Sequence, residues 1–104
     1  MNGLLAQVSP IATTDTLLYR SVTGATLGSV FVCNQTGGVL TFRMRVARSE
    51  SATAATAEYL YYGTQVGANS TLKLDLGMSL DAGQALYVYA SAINMSFNVF
   101  GAER

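Results

Sequence analysis

Apolar and polar side chains alternate every second residue in segments spread along most of this chain. In Leu40-Thr41-Phe42-Arg43-Met44-Arg45-Val46 four apolar side chains alternate with one Thr and two Arg. In Leu72-Lys73-Leu74-Asp75-Leu76 three Leu alternate with a Lys and an Asp. Leu86-Tyr87-Val88-Tyr89-Ala90 and Met95-Ser96-Phe97-Asn98-Val99 repeat the pattern. Successive side chains on a strand point to opposite faces, so a period of two gives each segment one face to bury and one to leave available. Helical spacing would drive Arg43 or Asp75 into the apolar stripe. The alternation predicts strands.

Turn residues fall between these segments. Thr23-Gly24-Ala25, Asn34-Gln35-Thr36-Gly37-Gly38, Gly67-Ala68-Asn69-Ser70 and Asp81-Ala82-Gly83 supply residues that tolerate positive φ or bond their own backbone. The predicted strands run over 4–9, 15–22, 26–34, 39–48, 58–66, 70–76, 85–91 and 95–101. Short strands at this spacing predict an all-β chain, a single antiparallel β-sandwich or jelly-roll-like domain over residues 1–104. Residues 1–14 read as an N-terminal arm or an edge strand, where Pro10 is tolerated. Ser49–Ala57 mixes Ala with Ser and Thr, has no apolar stripe, and is expected to be a loop.

Composition narrows the function. Only 12% of the 104 residues are charged while 50% are hydrophobic, against about 25% charged in an ordinary soluble domain. An apolar excess with so little charge predicts association, with part of the surface buried against other subunits of a homo-oligomer. Six basic and six acidic side chains cancel, leaving no global field for nucleic acid or an anionic membrane. No stretch has the apolar length of a membrane span, and residues 1–20 lack the basic start of a secretion signal. One cysteine, Cys33, closes no internal bridge and fits a reducing cytoplasm.

Reactive groups are scarce. The chain has no His, so the usual proton shuttle and nitrogen metal ligand are missing. The acids Asp15, Glu50, Glu58, Asp75, Asp81 and Glu103 are scattered without calcium-loop spacing. Cys33 follows Val30-Phe31-Val32 and reads as a small core hydrophobe. Gly37-Gly38 lacks the Lys and helix of a phosphate loop. No catalytic residue, cofactor or metal is expected, and the chain does not read as an enzyme. The Asn-x-Ser/Thr triplets at Asn34, Asn69 and Asn94 read as turn residues.

Two surface constellations remain. Arg43 and Arg45 share a strand face and, with Arg48, form a small basic ridge. It reads as a solvated face, as an assembly contact pairing with Asp or Glu, or as a site for an anionic ligand. Tyr59 and Tyr61 share one parity of their strand, Leu60 and Tyr62 the other; Tyr87 and Tyr89 oppose Leu86, Val88 and Ala90. Both pairs are expected on the face away from the aliphatic residues. They suit subunit or partner contact, internal packing or stacking on a glycan. The candidate interface residues are Tyr59, Tyr61, Tyr87, Tyr89, Arg43 and Arg45.

The runs Leu17-Leu18-Tyr19, Phe31-Val32-Cys33-Asn34, Thr41-Phe42-Arg43, Tyr59-Leu60-Tyr61-Tyr62, Tyr87-Val88-Tyr89-Ala90-Ser91 and Ser96-Phe97-Asn98-Val99-Phe100-Gly101 also carry a resemblance. Over residues 15–101 the chain resembles small all-β structural proteins of tailed bacteriophages. That resemblance implies a virion component assembled in the host bacterial cytoplasm, with phage capsid or tail proteins as partners. A capsid decoration (cement) protein stabilising the head is the first expectation. A tail or fibre-associated module, with host-surface glycans as a further ligand, is the second.

Overall fold

The computed structural model describes residues 2–49 and 54–104; part of the expected 49–57 loop, and Glu50 with it, lies outside the described residues. The described strands are β1 (Asn2–Val8), β2 (Thr16–Arg20), β3 (Ala25–Asn34), β4 (Leu40–Ala47), β5 (Tyr59–Val66), β6 (Thr71–Leu80), β7 (Ala85–Ala90) and β8 (Met95–Glu103), with one 3-10 turn at Thr56–Glu58. They form two four-stranded antiparallel sheets, ordered β1-β8-β3-β6 and β2-β7-β4-β5.

The pairing is nested. β4 pairs with β5, β3 with β6, β2 with β7 and β1 with β8, as though one long hairpin with its tip at β4–β5 had been rolled up. Each bend sends the next pair to the opposite sheet, and β3–β8 and β4–β7 pairings complete the sheets. This is the eight-stranded jelly roll.

The inward faces supply one core. Leu27, Val30 and Val32 of β3, Phe97 and Val99 of β8, Phe42 and Met44 of β4, and Leu86 and Val88 of β7 are buried together. Phe42 and Phe97 meet edge to face across the sheets, with centroids 5.8 Å apart. Leu27 and Val30 both point inward although three positions separate them, because the register slips at Gly28 against both neighbouring strands. Gly101 lies so close to β3 that a methyl group there would overlap the Thr26 carbonyl oxygen.

Several expectations shift. β6 runs on to Leu80 because Gly77, at a φ of +56°, absorbs the extra residue of a bulge. β1 is an edge strand of its sheet, and Pro10 is buried in the crossing that follows it. Cys33 is not a core residue. Val30 and Val32 take the inward positions, so Cys33 stands partly exposed on the outer face.

Connections gather at the two ends of the sandwich. At one end the 35–39 and 67–70 loops hang on Asn34, which is fully buried. Its amide nitrogen donates to the carbonyls of Gly38 (2.8 Å), Val66 (3.1 Å) and Gly67 (3.2 Å). Its Oδ1 accepts from the N–H and hydroxyl of Thr36. Asn34 is thus a clamp rather than a turn residue, whereas Asn69 and Asn94 do occupy positive-φ turns. Replacing Asn34 by Ala strands these buried partners, and denaturant unfolding should record a loss of about 2–3 kcal/mol.

Candidate functional site

The outer face of the β2-β7-β4-β5 sheet carries the chain's main concentration of aromatic and charged side chains. Cross-strand register sets them in two parallel rows. Arg43 lies opposite Tyr62 on one side and Tyr89 on the other; Arg45 lies opposite Tyr59 and Tyr87. Each row reads Tyr-Arg-Tyr across β5, β4 and β7.

The rows exist because β5 is irregular. Leu60 and Gly63 are each an extra residue against β4, and Gly63 adopts a φ of +70° that favours glycine. The two slips turn Tyr59 and Tyr62 to the same outer face, their rings edge to face at 5.0 Å. Tyr61 turns inward and packs on Phe42, centroids 5.8 Å apart. The expected Tyr59/Tyr61 pair is therefore corrected to Tyr59/Tyr62. A glycine inside a strand is the signal that betrays such a bulge. Tyr87 and Tyr89 do lie opposite the aliphatic face, although Tyr87 is itself buried beside Ala47, Ala85 and Leu17.

The two arginines differ sharply. Arg45 is fully buried. Its Nη2 and Nε donate to Asp15 Oδ2 at 2.6 and 3.1 Å, and its Nη1 to Glu58 Oε1 at 2.6 Å. The Tyr87 ring lies 4.0 Å from its Cζ. Burial opposes the charge, but the two carboxylates outweigh it and hold the guanidinium more firmly protonated than usual. The expectation of a solvated ridge or intersubunit pair fails at Arg45, because its acidic partners come from the same chain. Asp15 arrives on the β1–β2 crossing and Glu58 on the 3-10 turn, where it also accepts from the Ala55 N–H. Only the folded topology brings these three together.

Arg43 is partly exposed, with its Cζ 4.2 Å from the Tyr62 centroid and 4.3 Å from that of Tyr89. It makes no hydrogen bond or ion pair among the described residues. Arg48 is exposed and borders a cavity of about 450 Å³ with Val46, Ser49, Ala55, Ala57 and Glu58. A second cavity of about 330 Å³ is lined by Ala54, Thr56, Tyr59 and Tyr62. Among the described residues no three Cys, Asp or Glu side chains gather as metal ligands.

A separate polar latch closes the opposite end of the sandwich to the Asn34 clamp. The Tyr19 hydroxyl donates to Glu103 Oε1, while Glu103 Oε2 accepts from the Thr23 N–H at 3.1 Å and hydroxyl at 3.0 Å. Arg104 donates its backbone N–H to the Gly24 carbonyl. Burial and the bond to Glu103 push the Tyr19 phenol up to about 12. The Tyr19 hydroxyl and the Thr23 and Val22 donors pull the Glu103 carboxyl down to about 2 against its own burial.

Compared with protein-family models, with curated proteins and with solved structures, the chain matches none.

Two outcomes follow from these clusters. Arg45→Met leaves Asp15 and Glu58 without their cation. Breaking such a pair should cost about 3 kcal/mol in chemical unfolding, the low end for buried pairs, because Asp15 and Glu58 keep 26% and 24% of their side-chain surface in water. The latch responds to pH on both limbs. The Glu103 carboxyl is depressed, so its stabilisation is present above pH 4.5 and is lost as pH falls toward about 2. Tyr19 is raised, so its share is present below pH 10 and is lost as pH rises through about 12. Thermal melts across pH should give a shallower acid decline for Glu103→Gln than for the parent chain.

Proposed function

We propose that this chain is a non-enzymatic structural protein of a bacteriophage particle, a capsid decoration module that adheres to other virion proteins and strengthens the head. The observation that carries this reading is a group of exposed β-branched side chains at one end of the jelly roll. Ile11, Val39 and Ile93 are 73%, 60% and 59% exposed. They sit on the β1–β2, β3–β4 and β7–β8 loops, which neighbour one another: Thr13 donates its N–H to the Ala90 carbonyl, and Gln35 donates to that of Asn94. Aliphatic side chains presented together from loop tips lose unfavourable contact with water when a partner covers them.

The polar groups fit the same reading. Asp15 and Glu58 are engaged by Arg45, Glu103 by Tyr19 and Thr23, and Cys33 stands on β3, in the opposite sheet from Arg45. Chemistry of the acid–base or nucleophilic kind needs such groups available and paired. The jelly roll recurs among viral capsid and lectin domains, an analogy of fold alone, and the resemblance to phage structural proteins supplies the setting. A module that binds only the assembled shell stabilises that state by mass action; repeated copies, with a trimer as the favoured unit, bridge neighbouring subunits.

A second reading, a tail or fibre module binding host glycans, draws on the roughly 330 Å³ cavity beside Tyr59 and Tyr62, since aromatic rings suit sugar faces.

The decoration role is tested by stripping the protein from purified particles and adding it back. Stripped heads should lose heat and osmotic resistance and regain it with the parent protein, but not with an Ile11→Asp/Val39→Asp/Ile93→Asp variant that still folds. Unchanged resistance after stripping removes the role. Occupancy of a dozen copies or fewer per particle would move the protein to the tail.

A further inference from the structure

The two Tyr-Arg-Tyr rows are built alike and finished differently. In the Arg45 row the guanidinium is buried beside Tyr87 and its donors meet two carboxylates. In the Arg43 row rings stand on both sides of the guanidinium, at 4.2 and 4.3 Å, and among the described residues it makes no ion pair. The residues next along the same face are neutral: Thr41 pairs with Gln65 across β4–β5, and its N–H donates to the Ser91 hydroxyl oxygen at 3.0 Å. Asp15 and Glu58, which reach this face, are engaged by Arg45.

We propose that Arg43 is a receptor for one carboxylate delivered from outside the chain, the side chain of an Asp or Glu on a partner protein. Rings on either side restrict the guanidinium, so less side-chain freedom remains to be lost when an acceptor arrives. Its faces are taken by the rings, which leaves the N–H edge for an acceptor. A planar carboxylate matches that fork with two parallel hydrogen bonds. Arg45 is the precedent within the molecule, a Tyr-flanked arginine on the same strand whose donors are met by carboxylates. Nucleic acid is disfavoured, since it asks for many phosphate contacts and this face offers one open fork. Asp15 and Glu58 balance Arg43 and Arg45 in charge, so recognition rests on hydrogen-bond geometry at contact rather than on long-range attraction.

This inference names a contact of the adhesive module proposed above and rests on that reading only in drawing the carboxylate from a protein. The arginine Nε–Hε signals of the ¹⁵N-labelled chain provide the test. The probe is an N-acetylated, C-amidated Gly-Glu-Gly peptide, with the Gly-Gln-Gly peptide and glucuronate as comparisons at equal ionic strength. The Arg43 signal should shift saturably with the Glu peptide and not with the Gln peptide, while the Arg45 signal stays fixed. Arg43→Lys keeps the charge but loses the fork, and should weaken the response of Tyr62 and Tyr89 by about tenfold. A shift of the Tyr62 and Tyr89 signals that grows with protein concentration alone, and disappears in Arg43→Lys, supports the proposal with a second copy as the donor. No shift, or an equal response to the Gln peptide, overturns it. Glucuronate binding more than about tenfold tighter than the Glu peptide also overturns it, in favour of an acidic sugar. Particles that rebind the protein while the peptide leaves Arg43 unmoved would sink this site and leave the adhesive module standing. Peptide binding without particle binding would do the reverse.

Discussion

Everything in this molecule depends on two four-stranded sheets covering each other's apolar faces. Neither sheet has a second layer of its own, and the described chain has no helix beyond the single 3-10 turn to supply one. Burial of Phe42, Met44, Leu86, Phe97 and their neighbours provides the main favourable term. The nested pairing follows from the same need. A ribbon that bends after every strand pair delivers apolar faces alternately to the two sheets, so each bend adds area to one shared interior. Strict alternation would fail where the ribbon bends or twists, and the irregularities at Gly28, Gly63 and Gly77 lie within strands that must keep presenting large side chains inward. The glycines are the means by which a period of two survives a curved path.

The outer face of the β2-β7-β4-β5 sheet answers a different constraint. A surface bearing Tyr59, Tyr62, Tyr87 and Tyr89 is too aromatic to be left entirely to water, yet no third layer exists to cover it. The chain covers half of it with itself. Asp15 and Glu58 reach over from the crossing and the turn, and their bonds to Arg45 seal Tyr87 beneath. Such a buried ion cluster is weak evidence for net stability, because desolvating three charges offsets much of the attraction. Its clearer consequence is positional. The β1–β2 crossing and the 56–58 turn are both anchored to the centre of the sheet, and a wrong docking of either would leave buried Arg45 short of one of its two carboxylates.

Much of this was legible in the residues. The eight strands, their antiparallel pairing into a sandwich and most of the core follow from period two and turn chemistry, because both are local properties. What escaped is non-local or subtle. One residue inserted at Leu60 and another at Gly63 exchange Tyr61 for Tyr62 on the outer face; a parity argument carries each side chain correctly only until the first bulge. Cys33 looked like core because Val30-Phe31-Val32 precede it, but a strand with apolar residues on both faces does not announce which face is inside. The Arg45 cluster joins residues 15, 45 and 58, and no spacing rule links them until the topology does. Asn34 shows the same limit: its turn-like context conceals a buried amide serving three carbonyls.

The unequal finish of the two rows is where fold and function meet. The pairing of β4 with β5 on one side and β7 on the other places both arginines between tyrosines. The difference comes from reach. The crossing that carries Asp15 and the turn that carries Glu58 both fall over Arg45, whereas the neighbours beyond Arg43 are Thr41, Gln65 and Ser91. An arginine kept between Tyr62 and Tyr89, its donors without a partner among the described residues, adds no ion pair there to the fold while two large rings are held at the surface. Tyr62 stays mostly exposed there, and that exposure is a cost the isolated chain carries. A partner that brings a carboxylate to Arg43 and covers Tyr62 would complete the second row as Asp15 and Glu58 complete the first, turning the residual cost into binding free energy.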